Sequence, residues 1–122
     1  NKWIYPAFIN TDSIKSKNEI ILVESIGDML SLWEAGITNC IVLFGVNLSD
    51  SILFYILGLR VEKIIIALNN DGENKAGNTA AKKILEDLKY YFDESRISIS
   101  LPEKNDFNEM TKTEILRWRE NV

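Results

Sequence analysis

Histidine is absent from this 122-residue chain, and cysteine occurs once, at Cys40. A structural zinc site needs four nitrogen or sulfur ligands, so the chain cannot build one by itself. No intrachain disulfide is possible either. Cys40 opens the apolar run Cys40-Ile41-Val42-Leu43-Phe44, where a buried thiol behaves as a small hydrophobe. Positive charge is also in short supply: 14 basic residues face 18 acidic ones, for a net charge of −4. Domains that bind duplexes by neutralising phosphates are basic. Any nucleic-acid role must therefore pass through a bound cation, a local patch or another domain. The apolar runs stop far short of the ~20 residues of a membrane span, so no membrane partner is expected. No charged-then-apolar leader, internal repeat, low-complexity tract or linker is expected from these residues. The chain starts at Asn1 rather than Met, and we expect it to be part of a longer protein.

What remains is ordinary for one globular domain, with 46% hydrophobic and 26% charged residues. Residues 1–18 are polar and mixed, with Trp3, Tyr5 and Phe8 as anchors for a segment that approaches and docks on the main body. Strands are expected at Glu19–Glu24, Cys40–Phe44, Lys63–Leu68 and Arg96–Ser100. Between the first two, Ile26, Met29, Leu30 and Trp33 fall at helical spacing, and Ala35-Gly36 ends that helix. Ser49 can cap a second helix carrying Ile52, Leu53, Ile56 and Leu57, closed by Gly58. A third points Ala80, Ala81, Ile84, Leu85, Leu88 and Phe92 inward and Lys82, Lys83, Glu86, Asp87 and Lys89 outward. A last helix is expected over Glu109–Arg119, within a terminal segment 111–122, and packs Trp118 inward between Arg117 and Arg119. Short β-branched strands alternating with helices imply an α/β fold. Its four-stranded sheet is mostly parallel, with helices on both faces and right-handed crossovers.

Acidic residues repeatedly follow the apolar runs. Ile20-Ile21-Leu22-Val23 ends in Glu24, with Asp28 in the first turn of the next helix. Ile64–Leu68 runs into Asn69-Asn70-Asp71-Gly72, and Ile97–Leu101 leads through Pro102 to Asp106, Asn108 and Glu109. Parallel sheets place ligand sites at the carboxyl ends of their strands. Carboxylates delivered there by three strands suit a hard cation such as Mg²⁺. Each motif has a plainer reading. An acid in a first helical turn complements the macrodipole, which for Asp28 weighs as much as a functional role. Asn-Asn-Asp-Gly taken alone is turn chemistry. Ala80 stands where a calcium loop starting at Asn69 needs its glutamate, which excludes an EF-hand. Asp106 and Glu109 have the spacing of a capping box.

Together, these pieces resemble the Toprim family, the metal-binding module of topoisomerases, bacterial-type primases and some nucleases. The resemblance lies in Leu22-Val23-Glu24-Ser25-Ile26-Gly27-Asp28-Met29-Leu30-Ser31-Leu32, Gly36-Ile37, Phe44-Gly45 and Ala67-Leu68-Asn69-Asn70-Asp71. It continues in Ala76-Gly77-Asn78-Thr79-Ala80-Ala81 and Leu101-Pro102 with Asp106-Phe107-Asn108-Glu109. It covers residues 19–110 and is nearest to the primase and phage-type primase-helicase branch. It implies a catalytic subdomain for Mg²⁺-dependent nucleotidyl transfer in RNA primer synthesis, with Mn²⁺ as an alternative metal. The expected roles are Glu24 in acid/base or metal-associated chemistry, Asp28 as an outer-sphere or second-metal ligand, and Asp71, Asp106 and Asn69 as metal ligands. Asn108 and Glu109 are additional candidates. The implied partners are nucleotides and a single-stranded DNA or RNA primer, in the cytoplasm of a bacterial or phage-infected cell. Primases carry basic template-binding regions ahead of this module. None is visible here, so the chain alone is expected to have little or no polymerase activity.

Four departures stand out, one of them the segment Gly72–Ala76, slightly longer than the family's link between the motif and its glycine, which would be Gly77. Asn69 and Asn108 occupy positions where the family has aspartate, and Ser25 stands in place of glycine. Amides keep an oxygen ligand but remove a charge, which weakens Mg²⁺ binding and makes it more dependent on substrate phosphates. Rival readings are a Toprim nuclease or RNA-processing enzyme and a metal-poor, non-catalytic binding module. A receiver-like or flavodoxin-like domain fits worse, because Asn69 and Leu101-Pro102 stand where a receiver needs its phosphoacceptor aspartate and lysine.

Overall fold

The computed structural model describes residues 4–70 and 76–122, and the side chains of residues 76–78 are outside that description. The elements follow the order α1 (Ala7–Lys17), β1 (Glu19–Val23), α2 (Ile26–Glu34), β2 (Cys40–Val42), α3 (Asp50–Leu59), β3 (Lys63–Ile66), α4 (Ala76–Leu88), β4 (Ile97–Ile99) and α5 (Lys112–Glu120). Single 3₁₀ turns at Glu94–Arg96 and Phe107–Glu109 precede β4 and α5. All strand pairings are parallel, in the order β2-β1-β3-β4.

Side-chain alternation along the strands divides the core in two. Ile20, Leu22, Ile41, Ile64, Ile66 and Ile97 face one layer, where Ile14 of α1, Ile52 and Ile56 of α3, and Ile84 and Leu88 of α4 cover them. Ile21, Val23, Cys40, Val42 and Ile65 face the other, under Met29 and Leu32 of α2 and Ile115 and Trp118 of α5. This two-sided burial explains why Ile20–Val23 of β1 read as an unbroken apolar run, with all five residues of the strand buried. Each large aliphatic side chain removed from water contributes about 1.5–3 kcal/mol. Cys40 is fully buried, and burial pushes its thiol up to about 12.

Several expected boundaries move. Within the expected approach segment, Ala7–Lys17 form a helix, and Phe8 does not anchor it, being 71% exposed. Trp3 lies outside the described residues. Tyr5 packs against the core as expected, and the segment is held as well by buried Ile14 and by Asn10, whose Nδ2 donates to the Cys40 carbonyl at 2.8 Å. Gly58 lies inside α3, and Arg60 ends that helix in the left-handed region at φ 55°. Strand β2 stops at Val42, and Phe44 (φ 59°) and Gly45 (φ 143°) turn the chain off the sheet edge. The last helix begins later than expected because Thr111 and Glu114 form a reciprocal capping box. Trp118 packs inward as expected, 4% exposed, donating Nε1–H to the Ser100 carbonyl at 3.1 Å.

Candidate functional site at the carboxyl edge of the sheet

The strand order creates a switch point. From β1 the chain crosses to β2 on one side, over the face covered by α2. From β2 it returns past β1 to β3, over the face covered by α3. The connections after β1 and β3 therefore leave in opposite directions and open a crevice between those two strands, where doubly wound sheets bind ligands.

Glu24 follows β1 at this crevice, half-buried, and its Oε1 accepts the backbone N–H of Asn69 at 3.2 Å. Asn69 lies just beyond β3, so two expected site residues meet across the switch point. Its neighbour Asn70 binds the loop after β4. The Asn70 backbone N–H donates to the Asn105 carbonyl at 2.7 Å, and its Nδ2 donates to the Pro102 carbonyl at 3.1 Å. These bonds fold the loops after β3 and β4 onto each other. Asp71 lies outside the described residues.

Asp28 occupies a different environment from the one its sequence position suggests. It is 1% exposed, and both of its oxygens are engaged within the protein. Oδ1 accepts the Phe107 backbone N–H at 3.1 Å, and Oδ2 accepts the Ser25 hydroxyl at 3.0 Å. Burial raises its pKa above the usual carboxylate value. The Ser25 hydrogen bond opposes that shift, and the nearby Asp106 charge adds to it. Ser25, the departure from glycine, is the N-cap of α2 and accepts the Asp28 N–H at 3.4 Å. Serine at this position thus orders the acid that follows it.

Asp106 caps the 3₁₀ turn, its Oδ1 accepting the Glu109 N–H at 3.0 Å. The capping role read from its spacing is real, and half-buried Asp106 sits close enough to Asp28 to perturb its charge. Phe107 plugs into the core and meets the Trp118 ring edge-on at a centroid distance of 4.7 Å. Asn108 and Glu109 are exposed. The Asn108 Oδ1 accepts the Ser31 hydroxyl of α2 at 3.3 Å, and the Glu109 carbonyl accepts Lys104 Nζ at 3.4 Å. Sequence reasoning did not anticipate Asn70 as the clasp between loops or Phe107 as the plug that seats the turn. The alternation of Asp106 and Asn108 around an aromatic residue was the available signal.

Among the described residues, no three histidine, cysteine or acidic side chains converge as a metal cluster. No helix among them is long and apolar enough to cross a membrane.

Comparison with known proteins agrees with this geometry. An uncharacterized protein of Mycoplasma pneumoniae, the MG010 homolog, is 35% identical over 68 residues, which make up 56% of this chain and 32% of that protein. The chain thus spans about a third of that relative's length. A DNA primase domain from Pseudomonas aeruginosa superimposes with a TM-score of 0.79 at 22% identity, covering 99% of this chain and 39% of that one. A primase catalytic domain, DnaG, bound to single-stranded DNA matches with a TM-score of 0.73 at 20% identity, over 98% of this chain and 38% of that one. The fold is that of primase catalytic domains, and the Toprim-like family model matches residues 21–111, so the chain belongs to the Toprim-like family.

Proposed function

We propose that the chain is the catalytic subdomain of a DNA primase-like protein, carrying out Mg²⁺-dependent nucleotidyl transfer in RNA primer synthesis. The observation that carries this reading is the Glu24–Asn69 contact across the switch point between β1 and β3. It puts a carboxylate at the place where this architecture receives ligands. Support comes from the primase domain of the same fold that is bound to single-stranded DNA. The setting consistent with this reading is the cytoplasm of a bacterial or phage-infected cell.

Among the described residues the donors at this edge are oxygens, the Glu24 and Asp106 carboxylates and the Asn69 amide, and the sequence motif adds Asp71, which lies outside them. Such a set fits Mg²⁺ or Mn²⁺, and Mg²⁺ commonly takes only one or two protein carboxylates plus substrate phosphates. The bound cation supplies charge neutralisation at the reacting phosphate. Glu24, its Oε1 held by Asn69, accepts the proton of the attacking 3′-hydroxyl. Asp106 supplies an acidic group beside it, and Asp71 is the metal ligand that the sequence motif implies. Asp28 acts through others: it fixes the Phe107 N–H and so sets the turn that presents Asp106, Asn108 and Glu109. In this reading the chain by itself has little or no polymerase activity.

The test is calorimetric titration of Mg²⁺ and Mn²⁺ into the wild type, Asp71→Ala and Glu24→Gln, with and without nucleotide. Weak but saturable binding that Asp71→Ala abolishes is the expected result. A second reading, a non-catalytic binding module, rests on the amides at Asn69 and Asn108. Absence of saturable binding, even with nucleotide, would select it.

A further inference from the structure

Beside Glu24 the sheet edge opens into a cleft of about 530 Å³ lined by Glu24, Ser25, Ile26, Gly27, Phe44 and Gly45. Phe44 is 55% exposed, and its backbone sits in the left-handed region at φ 59°. A bulky residue with positive φ is rare, and such conformations concentrate where function holds them. The backbone turn itself does not call for a phenyl group, since glycine would adopt it freely. The ring is nevertheless supported. Tyr5 packs against it at a centroid distance of 6.2 Å, and Phe8 meets Tyr5 at 6.3 Å. The Tyr5 carbonyl also accepts the Val42 N–H at 2.9 Å, tying this aromatic row to the end of β2.

We infer that Phe44 is a stacking platform for a nucleobase, with Tyr5 holding the ring in place and Ile26 closing the apolar side of the cleft. A base has a flat face to lay on the phenyl ring. Its attached sugar and phosphates would extend toward Glu24, which lines the same cleft. Aromatic stacking of this kind tolerates any base, because every base presents a π-face. The inference deepens the function proposed above, because it places the base of the nucleotide whose phosphates that site would handle.

Amide NMR titrations test it with three probes: adenosine, adenosine triphosphate with Mg²⁺, and a short single-stranded oligothymidylate. Adenosine carries a base and no phosphate, so its binding reports the platform even if the metal site fails. Saturable shifts at Gly27 and Gly45 are expected, with affinity falling about ten-fold in Phe44→Ala and returning in Phe44→Trp. Phe44→Gly, which suits the left-handed backbone, should show the same loss in a folded chain. Tighter binding of the triphosphate would mark the base as that of an incoming nucleotide, and tighter binding of the oligomer as that of a strand. Either supports the platform. Triphosphate binding no better than adenosine would sink the metal site while leaving the platform standing. Absence of adenosine shifts at Gly27 and Gly45, or shifts unchanged by Phe44→Ala, overturns the inference.

Discussion

The carboxylate of Asp28 accepts the backbone N–H of Phe107 at 3.1 Å, joining positions 79 residues apart at the buried base of the candidate site. That bond couples the start of α2 to the turn carrying Asp106 and Asn108. It makes Asp28 a positioning residue.

Asp28→Ala removes the carboxylate's hydrogen bonds to the Ser25 hydroxyl and to the turn at Phe107 and Asn108, and leaves the Phe107 N–H without its partner. A loss of about 1–3 kcal/mol is expected in urea unfolding, with weaker metal binding alongside it. Asp28→Asn keeps an oxygen for Phe107 and separates charge from shape. Because the folded pKa of Asp28 is raised, the folded state binds its proton more tightly than the unfolded state does. The wild type therefore loses stability, relative to Asp28→Asn, as pH rises from below 3.8 through the raised value. Unfolding of both proteins across that range should show the gap moving in this direction. A gap independent of pH would refute the assignment.

Asn69→Asp places a second carboxylate beside Glu24. Without metal, the added repulsion should lower the melting temperature. With metal, the added charge should tighten Mg²⁺ binding by about ten-fold, since each unit of charge on the ligand set matters to a hard cation. Calorimetry and thermal melts at several Mg²⁺ concentrations read both effects. If Mg²⁺ fails to restore the lost stability, Asn69 is not next to a cation site.

Trp118→Phe deletes the hydrogen bond to the Ser100 carbonyl and part of the contact with Phe107. A cost of about 1–2 kcal/mol is expected, against about 3–5 kcal/mol for Trp118→Ala. The larger cavity lies directly under Phe107. Trp118→Ala should therefore also disturb the amide signals of Asp106 and Asn108, which the Phe variant should leave in place.

Phe44→Gly relieves a left-handed conformation that costs a non-glycine residue roughly 1–2 kcal/mol. The lost contact with Tyr5 and glycine's greater freedom in the unfolded chain offset part of that gain. Stability unchanged or raised by up to about 1 kcal/mol is expected on thermal unfolding. A drop of several kcal/mol would instead make Phe44 a structural residue.

Much of the architecture was legible because it is local. The apolar runs Ile20–Val23 and Ile64–Ile66, and helical spacing at Ala81–Ile84–Leu88, specify element type and buried face without reference to partners, whereas in α2 the spacing of Ile26, Met29, Leu30 and Trp33 gave the helix but not its face: Met29 is buried, Ile26 and Leu30 are exposed, and Leu32 is buried in their place. The first helix was not legible for the same reason. Its buried positions are Asn10 and Ile14, while Phe8 and Ile9 are exposed, so no apolar stripe marks it. Asn10 is buried because it reaches the Cys40 carbonyl, 30 residues away. The end of α3 was misplaced at Gly58 because Arg60 adopts the left-handed conformation usually left to glycine. Turn chemistry at Asn69-Asn70 was correctly read as polar loop. Nothing in four adjacent residues could say that Asn70 would clasp the loop after β4.

By itself, the sequence determined the α/β alternation, the parallel sheet, the carboxyl-edge positions of Glu24, Asn69 and Asp106, and the family. The alternation, the sheet and the edge positions follow from periodicity and from which residue comes after each strand; the family follows from the resemblance of the motif segments. Only the tertiary structure decided that β1 and β3 are neighbours, so that Glu24 meets Asn69. It also decided that Asp28 is buried under the turn rather than open to the cleft. Strand order depends on the direction each crossover takes, and a carboxylate's environment depends on segments dozens of residues away. Neither is encoded in any single stretch of chain.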